Sequence, residues 1–130
     1  LNALQRRDLL ASAKVSADEL IAYGRHYLEA EMYHEALRFF AKAGDADGLA
    51  ACKEAAVATG DHDLMWQLAH SPLAQVTEED WRCCAQKAVE MGKRTAAAYI
   101  YRRLGDTAAL EALERDAERE TPARTEDGSA

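Results

Sequence analysis

The chain has 130 residues with only 7 glycines and 2 prolines, and alanine, leucine, glutamate and arginine are plentiful. This is a helix-forming composition, long enough for one domain or a short repeat array that buries roughly two thirds of its surface. A formal net charge of −7 argues against a general nucleic-acid binder, which shows a basic face, and leaves basic peptides or basic protein surfaces open as partners.

Valine and isoleucine are scarce and no stretch alternates with period two, so no sheet is expected. No apolar run reaches 18 residues, so neither a spanning helix nor a membrane partner is expected. Cys52, Cys83 and Cys84 are odd in number and lack framework spacing, which favours free thiols in a reducing compartment, with the cytoplasm as the expected location. No signal peptide is visible, and a start at Leu1 rather than Met leaves room for a leader or a longer N-terminal part.

In chain order, residues 2–15 form the first predicted helix, with Leu4, Leu9 and Leu10 apolar and Asn2 as N-cap. Ser16-Ala17-Asp18-Glu19 reads as a capping box, the hydroxyl taking an orphan amide while Glu19 reaches back. It opens a helix over 17–30, where Leu20, Tyr23, Gly24 and Tyr27 share one face. The link Ala30-Glu31-Met32 is too short for anything but an antiparallel return into a helix over 33–43. That helix carries Ala36, Phe40 and Ala43, widened by Leu37 and Phe39. A mid-helix glycine costs roughly 1 kcal/mol against alanine. Gly24 is therefore expected where a ring from the partner helix packs on the backbone, with Phe40 the candidate.

Gly44 ends this helix as a left-handed cap. Asp45 or Asp47 restarts the chain through Leu49, Cys52, Ala56 and Val57, as far as Thr59-Gly60. Asp61 caps a short helix from Leu64 to about Ala69, Ser71-Pro72 breaks it, and Pro72 to Val76 is the longest irregular link. Thr77-Glu78-Glu79-Asp80 is a second capping box, opening a helix with Trp81, Cys84, Ala85 and Ala88 that Gly92 closes. Lys93 to Leu104 returns with Ala97 and Tyr101, and Gly105-Asp106 is the next break. The last helix, 107–119, shows Leu110, Leu113 and Ala117 on one side and charges elsewhere, as a solvating cap should. The tail over 120–130 is polar and expected to be disordered. Residues 1–119 thus read as one domain with hairpins over 17–43, 46–70 and 78–104.

The pattern repeats. Leu20, Leu49, Trp81 and Leu110 each open a unit, at spacings of 29, 32 and 29 residues. A 61-residue self-match aligns Ala36, Phe40, Gly44-Asp45 and Leu49 with Ala97, Tyr101, Gly105-Asp106 and Leu110. Leu20, Tyr23-Gly24, Tyr27, Ala36, Phe40 and Ala43 resemble the tetratricopeptide-repeat (TPR) signature: large apolar, Leu-Gly, Tyr, then Ala, large aromatic, Ala. The resemblance is closest over 17–48 and extends more weakly to 117. Gly48 stands where the family has proline, Lys53 and Ala56 depart in the second unit, and Ala88 replaces the Tyr in the third. Units of about 30 residues are shorter than the family's 34, and the run Phe40 to Asp45 also suits a clathrin/coatomer-type hairpin array. The resemblance implies an all-α, right-handed α-solenoid of antiparallel helix hairpins with seven to eight helices.

Chemistry is sparse. His26 and His34, and His62 and His70, lack Cys or carboxylate partners at zinc spacing, and vicinal Cys83-Cys84 cannot place both sulfurs on one face, so no metal is expected. No phosphate loop or dinucleotide fingerprint implies a cofactor. Glu78-Glu79-Asp80 are explained by the positive end of a helix, and no feature marks Cys83 or Cys84 as a nucleophile. The expectation is a non-catalytic protein–protein interaction module, a scaffold that binds a partner peptide or protein on the concave face lined by first helices. Turning each first helix away from its core stripe puts Ile21, Arg25 and Leu28 there, then Ala50, Glu54 and Val57, then Arg82, Gln86 and Val89. Arg25 and Arg82 would be charge anchors for a peptide bearing carboxylates. The alternative is a structural solenoid segment of a larger assembly, docking by its ends or by self-association as a homo-oligomer.

Overall fold

A computed structural model describes residues 1–120; the tail expected to be disordered lies, from residue 121, outside the described residues. Eight helices and no strand are present among them: α1 Ala3–Ala11, α2 Ala17–Glu29, α3 Tyr33–Ala43, α4 Ala46–Thr59, α5 His62–Ala69, α6 Glu78–Glu90, α7 Arg94–Leu104 and α8 Thr107–Glu120. A single 3-10 turn, Pro72–Ala74, follows α5. The fold is all-α, as the composition and periodicity predict.

The helix boundaries follow from local hydrogen bonding. Asn2 Oδ1 accepts from the Gln5 amide at 2.8 Å and Gln5 Oε1 accepts from the Asn2 amide at 3.0 Å, a complete capping box. The first helix stops at Ala11 rather than 15. There the Ser12 backbone turns extended and its hydroxyl accepts from the Lys14 amide at 3.2 Å, offering the chain a local alternative to another helical turn. Ser16 caps α2 by accepting from the Glu19 amide, but the return bond from Glu19 is not made. The box at Thr77 is complete, with Asp80 as the reciprocal partner.

The helices pack largely in sequence order: α2 on α3, α3 on α4, α4 on both α5 and α6, α6 on α7, and α7 on α8. The first hairpin is held by rings. Phe39 stacks on Tyr23 and on Tyr27, each pair with centroids 5.6 Å apart, and Phe40 is completely buried. A Cβ on Gly24 would lie 2.6 Å from Phe40 Cε1, so the expected close approach is present. A Cβ on Gly48 of α4 would clash with Cδ1 and Cγ of the same ring. Phe40 is thus wedged between two bare stretches of backbone, one on α2 and one on α4.

The step from α4 to α6 repeats this closeness with different residues. Gly60 has φ +61, and a Cβ there would come within 2.6 Å of Ala88 Cα on α6; only glycine meets both demands. Lys53, where the repeat pattern wants a small residue, reaches across to donate to the Gln75 carbonyl at 3.2 Å and to pair with Asp80 at 3.1 Å. Arg103 of α7 lies over Trp66 of α5 at 4.3 Å and Trp81 of α6 at 5.1 Å, tying three helices together. His34 Nε2 meets Asp61 at 3.6 Å, while the other Asp61 oxygen caps α5 by accepting from the Leu64 amide.

Two consequences are measurable. Gly24→Ala and Gly48→Ala each force a methyl into Phe40 and should destabilise by about 1–3 kcal/mol in urea unfolding. Phe40→Leu in either background should recover part of that loss. Asp80 is pushed up by partial burial, yet hydrogen bonds from Thr77 and Lys53 and the Lys53 charge outweigh this and hold its carboxyl below the ordinary 3.8. A lowered folded pKa contributes stability that is present at neutral pH and lost as pH falls through the folded value. Asp80→Asn should therefore cost about 1 kcal/mol at pH 7, and its difference from wild type should vanish in strong acid.

Candidate functional site

The positions picked out by the repeat register lie on α2, α4 and α6, but the structure does not gather them into one cleft. Arg25 is exposed and Leu28 half-buried, one turn apart on α2. Together they line a cleft of about 290 Å³ against the start of α4, with Glu29, Asp45, Asp47 and Ala51 as further walls and Phe40 beneath. Ile21, one turn earlier, is half-buried and packs on the core. Glu54 is exposed on α4, and Arg82 and Gln86 are exposed on α6; none of these three reaches the Arg25 cleft. Val89, still 37% exposed, lines a different cleft at the far end of α6, with Leu113 and Asp116 of α8.

The electrostatics of the two arginines differ from the arrangement expected of paired anchors. Arg25 shares its cleft with three carboxylates, so an incoming carboxylate meets repulsion as well as attraction there. Arg82 has Glu78 at 3.9 Å on its own helix. α4 lies between α2 and α6, packing against both, so the two guanidinium groups sit on helices separated by a third. Sequence reasoning missed Glu29, Asp45 and Asp47 as neighbours of Arg25. Gly44-Asp45 was legible only as a helix stop and restart. Asp45 has nearly the same backbone angles as Asp61, yet its side chain caps nothing, which leaves its carboxylate to the cleft.

The thiols and histidines are dispersed. Cys52 and Cys84 are fully buried. Burial pushes both thiols up to about 11, with Asp61 adding to the shift at Cys84. Cys83 is half-buried and raised by desolvation and by Glu79, whose carboxylate lies 3.5 Å from its Sγ. A thiol raised in this way is protonated and a poor nucleophile at neutral pH. His26 edges onto Tyr27, His34 meets Asp61, His62 tilts against Tyr99, and His70 lies against Trp66. Among the described residues no three His, Cys, Asp or Glu side chains gather where a metal ion could be held. No described helix is long and apolar enough to cross a membrane.

Compared with protein-family models, with curated proteins and with solved structures, the chain gives no match. The chemistry of the face therefore stands on its own residues.

A thiol at about 11 has roughly one thiolate in a thousand at pH 8. Iodoacetamide applied to the native protein should modify Cys83 first and leave Cys52 and Cys84 untouched until urea is added, as read by peptide mass spectrometry. Rapid alkylation of Cys84 would contradict the burial described here.

Proposed function

We propose that this chain is a non-catalytic interaction module: a right-handed, TPR-like array of antiparallel helix hairpins that binds a partner peptide or protein on the face formed by α2, α4 and α6. One observation carries the reading. First helices pack on first helices, α2 on α4 and α4 on α6, which is how stacked hairpins build a continuous concave surface. The 61-residue self-match supports it, since Phe40 and Tyr101 occupy equivalent buried positions of α3 and α7. So does the state of the cysteines, whose raised thiols offer no activated nucleophile.

The partner surface that suits this face places apolar side chains on Leu28 and Ala51 and presents cations toward Glu29, Asp45 and Asp47. The −7 charge of the chain favours encounter with such a partner. TPR-like modules that clamp a C-terminal carboxylate use a lysine and asparagine set, which the positions of Arg82 and Gln86 only approximate, so that activity is not carried over.

Affinity capture from source lysate tests the reading, wild type beside Glu29→Lys/Asp47→Lys and, separately, Leu28→Glu. Residues 29 and 47 are exposed and 28 half-buried, so circular dichroism should remain that of the wild type. A partner held by wild type should be lost from the Glu29/Asp47 variant, which repels its cations, and reduced by Leu28→Glu. Equal capture by all three proteins would move the binding site off this face.

A further inference from the structure

The two terminal helices carry opposite charge and both leave surface uncovered. α1 has no buried residue and rests on α3. Between α1 and α3 an open cleft of about 330 Å³ has Leu10 and Phe39 as its apolar lining, with Arg6, Arg7 and Arg38 around it and Glu35 as the one carboxylate. Arg38 makes no ion pair, and Arg7 reaches only Asp8, at 3.8 Å, with both side chains more than two thirds exposed. Arg6 donates to the Leu1 carbonyl at 3.2 Å and lies 5.7 Å over Tyr27, which holds one guanidinium in place beside the cleft. A chain with a net charge of −7 thus collects three arginines at one site.

At the opposite end, α8 carries five carboxylates against two arginines. Leu113 is buried toward the rest of the protein, and helical spacing then turns Glu111 outward, with Glu114 on the flank. Both are exposed and neither makes an ion pair, whereas Asp116 is engaged with Arg119 at 3.7 Å. Two unpaired carboxylates one turn apart match a cleft rimmed by arginines, since guanidinium groups are the strongest partners a protein offers a carboxylate.

We infer that copies of this chain associate head to tail, the Glu111/Glu114 face of α8 in one copy seating in the Arg7/Arg38 cleft of the next. The inference rests on the charge and placement of α1 and α8, and needs no ligand on the α2/α4/α6 face. The two surfaces are different, so the contact is heterologous and does not close on itself unless the rotation happens to make a ring. It is dominated by charge at an exposed surface, so salt weakens it.

Sedimentation velocity over a concentration series, in about 25 mM and about 500 mM salt, reads the association directly. Three proteins are compared: wild type, the head variant Arg7→Gln/Arg38→Gln, and the tail variant Glu111→Gln/Glu114→Gln, whose altered surfaces carry no charge and so cannot pair with each other. Wild type should grow in mass with concentration at low salt and return to monomer at high salt. Each variant alone should stay monomeric. An equimolar mixture of the two variants should form dimers and nothing larger, because the intact tail of one fits only the intact head of the other. That pairing also shows that both variants are folded. Wild type that stays monomeric at low salt, or variants that assemble as wild type does, would overturn the inference. A mixture that remains monomeric while both variants keep the wild-type helical signal would do so as well.

Discussion

Phe40 between Gly24 and Gly48 is the contact on which the arrangement of this chain depends. A phenylalanine side chain withdrawn from water contributes about 1.5–3 kcal/mol. Here that gain is available only because two helices have no side chain where the ring lies. The ring sets how closely α3 approaches α2 and, through the same atoms, how closely it approaches α4. One residue therefore couples the inside of the first hairpin to the start of the next. The Arg25 cleft sits over this wedge, with Phe40 and Gly48 among its walls, so the position of the candidate site follows from the packing of its floor.

The later joints use other chemistry for the same purpose. Gly60 lets α4 meet the backbone of α6, Lys53 bridges to the capping residues of α6, and Arg103 spans Trp66 and Trp81. Among the described residues no polar or charged residue is buried. Cohesion along the chain is mainly apolar and aromatic; apart from the partly buried Lys53–Asp80 pair, most of its described ion pairs are exposed, where each contributes little. The exposed residues of α2, α4 and α6, Arg25, Glu54, Arg82 and Gln86 among them, lie outside that core.

How far the sequence could be read depended on whether the deciding interaction was local. Helix ends set by Asn2, Ser16, Asp61, Thr77 and the glycines at 44, 60 and 105 were legible, because a cap needs only its own neighbours. The contact of Gly24 with Phe40 was legible too, since a glycine inside a strong helix needs a reason. The second glycine of the wedge was not: Gly48 drew notice only as the residue standing where the TPR family has proline. The early end of α1 was missed because a serine bond two residues long outcompeted the helical periodicity of Leu9 and Leu10. At the candidate site, Arg25 and Leu28 were predicted together because they share one helix face. Glu29, Asp45 and Asp47 come from a helix end and from the start of α4, which only tertiary packing brings to that face. Val89 moved away for the complementary reason: two turns along α6 carry it to the last joint of the chain.

Native-state hydrogen exchange on wild type and Phe40→Ala tests the wedge most directly. If Phe40 couples α2, α3 and α4, their slowest amides share one opening free energy in wild type, and the substitution lowers all three by the same amount. Protection lost in α2 and α3 but unchanged in α4 would show that the hairpins are held by independent contacts, and would contradict this account.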